Sequence, residues 1–550
     1  MVFFAGKEVS MLHRLSLLVV LLTFPLFANV WPPGGVPVCT DPASQIIPQI
    51  AKLTDGFAIV WTDVRRGNND IFAQKLGPNG YGLWQLNGNP VCDHDSSQRN
   101  PIVIDGSNGG AMFFFEDPRN QYPPWPYVDV WGQRFNSLGQ DGWVHNGKIF
   151  SRGEASSGPA AIPDGSGGAF LVNVGSAQPD GSWLNGFHLD SLGTILWQGG
   201  VGEWTFLGTL NPQVVSDDSG GIGIVWFQNT RSWTSNLLAQ RLTLSGQPFW
   251  DSAGVSLVEF SSPPNYGTFT MIAEATHGSI VAWAENRGGT WDIYSQRITG
   301  NGTVRWQTNG IPVRVATGDQ ANPKAVPDGA GGAIIVWEDG ASGLRDIYAQ
   351  RVDSTGARLW DTLGVPVIRS TGDQTGIQVV SDDAGGVIVT WKDNRNGNND
   401  IYAQRLNPNG QRLWDTLGVQ ICVWNGEQTV PVICPDGSGG AVIAWQDTRN
   451  GNNDIYAQRV TASGSGVWEE SQGSFQPPTS DLSFSVVPNP FNSFSTLPGH
   501  ERERFALYDI AGRKVGIYRG DRVGADVPPG VYFLRPLCQG GSPLRVVKVR

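Results

Sequence analysis

Residues able to do chemistry are few in this 550-residue chain, and their spacing is uninformative. Six histidines are present (His13, His94, His145, His188, His277 and His500), but none forms an HxH or HExxH spacing or stands beside a cysteine. Neither a zinc centre nor a histidine-based catalytic dyad is therefore spelled out. The cysteines Cys39, Cys92, Cys422, Cys434 and Cys538 contain no CxxC pair and read as small buried hydrophobes. Glu116, Glu274, Glu285 and Glu338 could act as paired carboxylates in glycoside hydrolysis only if folding joined them, because their sequence surroundings carry no mark. A GxSxG nucleophile elbow needs a strand-to-helix turn, and no helical period hosts one. Loops 63–70, 393–400 and 447–454 are rich in the oxygen donors that Ca²⁺ takes. Arg65, Arg395 and Arg449, however, stand where a ligand is wanted, so these loops read as turn chemistry. The expectation is a protein with no catalytic residues, no metal and no cofactor.

The remaining candidates are aromatic. Tyr122, Trp125, Tyr127, Trp183, Trp233 and Trp291 occupy loop positions with polar neighbours, a pattern suited to binding a glycan or a protein segment. The elements that must position them form a repeat. Trp84, Trp143, Trp197, Trp250, Trp306, Trp360, Trp414 and Trp468 recur at spacings of 53 to 59 residues. Ten residues before each lies a glutamine (Gln74, Gln133, Gln240, Gln296, Gln350, Gln404 and Gln458), with Phe187 instead in the third copy. A second aromatic series follows a Gly-Gly turn at Trp61, Phe115, Trp226, Trp283, Trp337, Trp391 and Trp445, and the third copy again departs, with Asn173. Groups repeated in nearly every copy are architectural, since one active site needs its groups once.

Within residues 364–418 the apolar period is two, the mark of strands. Four are expected, at 365–368, 377–381, 386–392 and 400–406, with turn residues Asp382 to Gly385 and the Asn396-Gly397 loop between them. Four short antiparallel strands make one blade of a β-propeller. One such sheet cannot bury both faces alone, so copies must stack. A buried indole removes about 150–250 Å² from water, worth roughly 4–6 kcal/mol at about 25 cal/mol per Å². The reading is an all-β, eight-bladed propeller closed into a ring, with the glutamine series as hydrogen-bonding brackets between blades. In a closed ring copies seven, eight and one are neighbours and share one Asn/Asp-rich arc, with the aromatic loops of copies two to five opposite.

After Trp468 the periodicity stops. Residues 471–483 read as a Ser-, Gln- and Pro-containing linker, and 484–550 as a small Ig-like β-sandwich. The motifs there are Pro488, Asn489, Pro490, Phe491 and Asn492; Leu507, Tyr508, Asp509, Gly512 and Arg513; Gly530, Val531 and Tyr532; and a basic, apolar tail to Arg550. In that order and place they resemble the C-terminal sorting domain of proteins exported by the bacterial type IX secretion system. The resemblance covers the last 67 residues and implies the type IX machinery as a partner, and passage across the outer membrane. At the other end, Lys7, His13 and Arg14 precede an apolar stretch from Leu15 to Phe27, so 1–28 read as a signal peptide, too short to span a bilayer.

The net charge of −11, with no basic run, excludes nucleic acid as an expected partner. The resulting expectation is a secreted or outer-surface protein without a transmembrane anchor. Its domains are a signal peptide (1–28), a propeller (29–470), a linker (471–483) and a sorting domain (484–550). It is a non-catalytic binding or structural protein, the rival being an extracellular hydrolase or lyase on the same frame.

Overall fold

The computed structural model describes residues 31–32, 34–120, 128–151, 158–177, 181–205, 209–229, 235–260, 268–274 and 276–464. It also describes 496, 504–509, 514–519, 521–524, 526–528, 530–536 and 544–548. The signal segment, Trp468 and the linker lie outside these residues. The chain divides into two units at Glu469/Glu470.

The first unit is an all-β, eight-bladed propeller, each blade a four-stranded antiparallel sheet. Blade 6 comprises, from the axis outward, Gln320–Pro327, Ala333–Asp339, Asp346–Val352 and Val365–Ile368. Blade 7 follows with Gln374–Ser381, Val387–Asp393, Asp400–Leu406 and Val419–Cys422. Blade 1 starts at Gln45, and blades 2 to 5 fill residues 99–151, 160–205, 209–260 and 269–314. The strand at 365–368, expected to open a copy, therefore closes the preceding blade: Ile347 pairs with Ile368 and Ala349 with Val365.

This shift by one strand decides how the ring shuts. Blade 8 supplies Gln428–Pro435, Ala441–Asp447 and Asp454–Val460, and its outermost strand comes from the N-terminus, Val36–Cys39, paired to Asp454–Val460. Inner strands touch in succession around the circle, including Gln45–Leu53 against Gln428–Pro435, so the ring is closed.

Closure extends to the tryptophan series. Trp360 Nε1 donates to the Pro408 carbonyl of the next blade (3.0 Å), and Arg351 donates to the same oxygen (3.0 Å). The arrangement repeats with Trp414 and Arg405 on the Ala462 carbonyl (3.1 and 2.7 Å) and with Trp306 and Arg297 on Ser354 (3.2 and 3.0 Å). For blade 8 the indole is Trp31, 1% exposed, donating to Pro78 O at 3.1 Å. The eighth slot, assigned above to Trp468, is filled from the other end of the chain.

The glutamines act inside blades. Gln404 Nε2 donates to Asp415 O (2.6 Å), and its Oε1 accepts from the backbone of Arg405 and Trp414 (2.9 and 3.1 Å). The expected inter-blade bracket is the neighbouring arginine, whose side chain lies on the opposite face of the strand and so reaches the next blade. In the third copy His188 takes that place, bonded to Asp164 (3.0 Å).

In the second unit, Arg504–Asp509, Lys514–Arg519, Gly530–Pro536 and Leu544–Lys548 form one antiparallel sheet. Phe505, Leu507, Tyr532 and Leu534 are buried on it. A second sheet, which an Ig-like sandwich needs, is not among the described residues. Of the residues expected to form sorting motifs, Tyr508 and Asp509 lie on the first of these strands and Gly530, Val531 and Tyr532 on the third. Pro488, Asn489, Pro490, Phe491, Asn492 and Gly512 lie outside the described residues.

Candidate binding site at the channel mouth

The inner strands wall a central channel, and those of blades 1, 2, 6, 7 and 8 begin with nearly the same local pattern. Gln45, Gln98, Gln320, Gln374 and Gln428 are fully buried at their starts. Two residues on, the chain turns through positive φ: Ile47 (55°), Asn100 (52°), Asn322 (53°), Gly376 (69°) and Val430 (51°). Register slips there, as between Thr375 and Gln378, which identifies a bulge. For β-branched Ile47 and Val430 this backbone is strained. The bulge turns an N–H toward the preceding blade: Ile47 N donates to Gln446 Oε1, and Gly376 N to Glu338 Oε1, both at 2.8 Å.

The acceptors occupy the middle of a Trp-x-Asp motif on the second strand. The flanking residues are nearly constant, with Phe115 replacing the tryptophan in blade 2. Trp391 Nε1 donates to Asp393 Oδ2 (2.8 Å), and Arg395 caps the same carboxylate. Trp61, Asp63 and Arg65 do the same in blade 1, as do Trp445, Asp447 and Arg449 in blade 8. The central residue instead varies, being Thr62, Glu116, Glu338, Lys392 and Gln446 in blades 1, 2, 6, 7 and 8. Variable chemistry thus sits inside a repeating frame, next to the inner strand of the following blade.

Between blades 6 and 7 this variation opens a cavity of about 180 Å³ lined by Thr268, Asn322, Lys324, Glu338, Gly376, Ile377 and Gln378. Glu338 is 3% exposed, with Oε1 on Gly376 N and Oε2 accepting from Asn322 Nδ2 at 3.0 Å. Arg345 approaches it at 3.9 Å. Thr268 Oγ1 donates to Asn322 Oδ1 (3.2 Å). Burial pulls the Lys324 ammonium below its usual range, a pull that Glu338 opposes. Glu116, in blade 2 across the ring, is 1% exposed and accepts from Arg99 at 2.7 Å. Of the other glutamates weighed as acids, Glu274 pairs with Arg297 and Glu285 accepts from Trp283 Nε1, both in repeated structural positions.

The aromatic candidates are placed in part. Tyr122, Trp125, Tyr127 and Trp233 lie outside the described residues. Trp183 is half-buried, its Nε1 donating to Asn185 Oδ1 at 2.9 Å. Trp291, also half-buried, packs on the apolar cluster shared by blades 5 and 6, and its carbonyl accepts from Gln320 N (2.7 Å). In the Asn/Asp-rich loops, Asn398 Nδ2 engages the carbonyls of Trp424 (3.0 Å) and Gly426 (2.7 Å).

No family model and no curated protein matches the chain. Among solved structures, the chain is similar to a protein of unknown function from Dyadobacter fermentans DSM 18053 (11% identity, 67% of this chain and 95% of that one, TM-score 0.36). It is also similar to the Hadza microbial sialidase Hz136 (10%, 71% and 73%, 0.35) and to a PL25 ulvan lyase (13%, 68% and 96%, 0.41). At these scores the likenesses bear on neither activity nor ligand.

Proposed function

We propose that the protein is a non-catalytic, exported recognition propeller that takes a hydroxyl-rich carbohydrate at its channel mouth. The observation carrying this reading is the convergence of Asn322, Lys324, Glu338 and Gln378 on one cavity. Asn322, Gln378, Thr268 and Glu338 offer the donors and acceptors that fix sugar hydroxyls. Glu338 is the only carboxylate in the lining, and its oxygens are occupied by Gly376 and Asn322. Hydrolysis by paired carboxylates needs a second one about 5–9.5 Å away. Glycan-array binding by the full chain, compared with a Gln378→Ala variant of unchanged melting temperature, tests the reading. Binding by the parent and at least tenfold loss in the variant are expected; equal binding by both, or consumption of the captured glycan, would refute it.

Export through the type IX pathway is the second half of the proposal, supported by the ordered C-terminal motifs. Removing 484–550 in a type IX-competent host should leave the propeller inside the cell envelope; unaltered surface delivery would end this half of the proposal.

A further inference from the structure

Two residues at the seam between blades 6 and 7, Lys324 and Gly376, favour an anion. In blade 4, Gln213 crosses to the next inner strand, donating to Phe269 O (2.7 Å) and accepting from Met271 N (3.0 Å). Lys324 holds the same register in blade 6, four residues beyond the strand's opening position. An ammonium cannot accept, so Lys324 cannot form that bracket; it is a half-buried cation whose desolvation is opposed by Glu338 alone. Opposite it stands Gly376, at a bulge position that carries a side chain at Ile47, Asn100, Asn322 and Val430. A Cβ there would meet only Lys392 and Pro431, at 3.9 and 4.0 Å, so the missing side chain leaves open space beside Lys392.

The charge balance points the same way. Glu338 is committed to Gly376 and Asn322 and has Arg345 nearby, whereas neither Lys324 nor Lys392 forms an ion pair within 4 Å among the described residues. In a chain of net charge −11, this wall is locally cationic. At about 180 Å³ the cavity is smaller than the roughly 300–1,000 Å³ that encloses a whole small ligand, so it suits one end group.

Resting on the carbohydrate reading above, we propose that this cavity is a subsite for a uronate residue. Lys324 holds the carboxylate, while the Asn322 and Gln378 amides and the Thr268 hydroxyl take the ring hydroxyls. Lys392 adds long-range attraction at the mouth. The recognition is non-covalent, and its signature is a lysine that lowers stability in the empty protein.

Calorimetry on the full chain with galacturonate, glucuronate and mannuronate trimers, their carboxyl-reduced neutral counterparts and a hexaglutamate peptide tests it. At least one uronate trimer should bind ten or more times tighter than its reduced form. Lys324→Met should erase that ratio while raising the melting temperature, and Lys324→Arg should keep part of it. If a reduced trimer binds as tightly, or Lys324→Met leaves the ratio intact, the anion subsite is wrong and the carbohydrate reading stands. Should Lys324→Met melt lower than the parent, the lysine is structural and the inference fails. Binding of the peptide alone, or of nothing, overturns both.

Discussion

Asp70 shows how single side chains carry charge at a cost in this propeller. It is fully buried, accepts one bond from Asn68 (3.1 Å) and leaves Oδ2 without a hydrogen-bond partner. Burial raises its pKa to about 6. Asp292, Asp400 and Asp454 shift the same way for the same reason. A folded-state pKa above the unfolded one means that the folded state holds a proton more tightly, so this stabilisation is complete at low pH and vanishes as pH rises through about 6. Asp70→Asn should therefore stabilise the fold at pH 7.5, by on the order of 2–3 kcal/mol, and do nothing below about pH 4. Urea titrations at both pH values check this, and an equal effect at the two would contradict it. The thiols are set by burial as well: Cys39 and Cys92 are pushed up to about 12, and Cys422 and Cys434 are raised too. Iodoacetamide at pH 8 should leave all four unmodified until denaturant is added, as mass spectrometry would report. The sequence pattern already read these cysteines as small buried hydrophobes. It named Glu338 only as one of four unmarked glutamates and did not name Lys324, whose significance is its place on an innermost strand, known only once the strand pairing is known.

At the scale of the element, the number of strands per copy, their approximate limits and the hairpin chemistry were legible from the period-two pattern and the Gly, Asn and Asp turns. The phase of the repeat was not. A periodic sequence reads the same wherever the unit is said to begin, and hydrogen bonding alone gives Val365–Ile368 to blade 6. The misplaced bracket has the same origin, since Gln404 and Arg405 alternate on one strand and only pairing shows which faces the next blade. Arg405 ties Asp382 in its own blade (2.9 Å) to the Ala462 carbonyl in the next (2.7 Å). Arg405→Ala strands the fully buried Asp382 carboxylate and should cost about 3–5 kcal/mol in chemical denaturation. A loss below about 1 kcal/mol would show that the carbonyl bridge is dispensable.

For the whole molecule, stability depends on joining the two ends of the ring. Trp31 fills the eighth indole slot, and Gln458 Nε2 grips Pro32 O at 2.8 Å, just as Gln404 grips Asp415. The sequence reading places Trp468 here and passes over a cue for Trp31: "WPPGGVPVC" at 31–39 echoes "WQLNGNPVC" at 84–92. The echo is easily missed beside Trp468, which continues the count in order. Trp31→Ala should lower stability by about 3–5 kcal/mol, and Trp468→Ala should leave it nearly unchanged. Comparable losses in both, measured by thermal melting, would reject the slot assignment.

The fourth strand of blade 8 is borrowed from more than 400 residues away, so its partner must wait for the rest of the chain. Until Val36–Cys39 arrives, Asp454–Val460 offers a bare row of amides that a second copy can satisfy just as well. Two molecules exchanging this short segment reciprocally would form a closed dimer, whereas head-to-tail exchange would run on into filaments. Refolding at rising protein concentration should therefore yield strand-swapped oligomers, and a flexible tether joining residue 464 to residue 31 should suppress them.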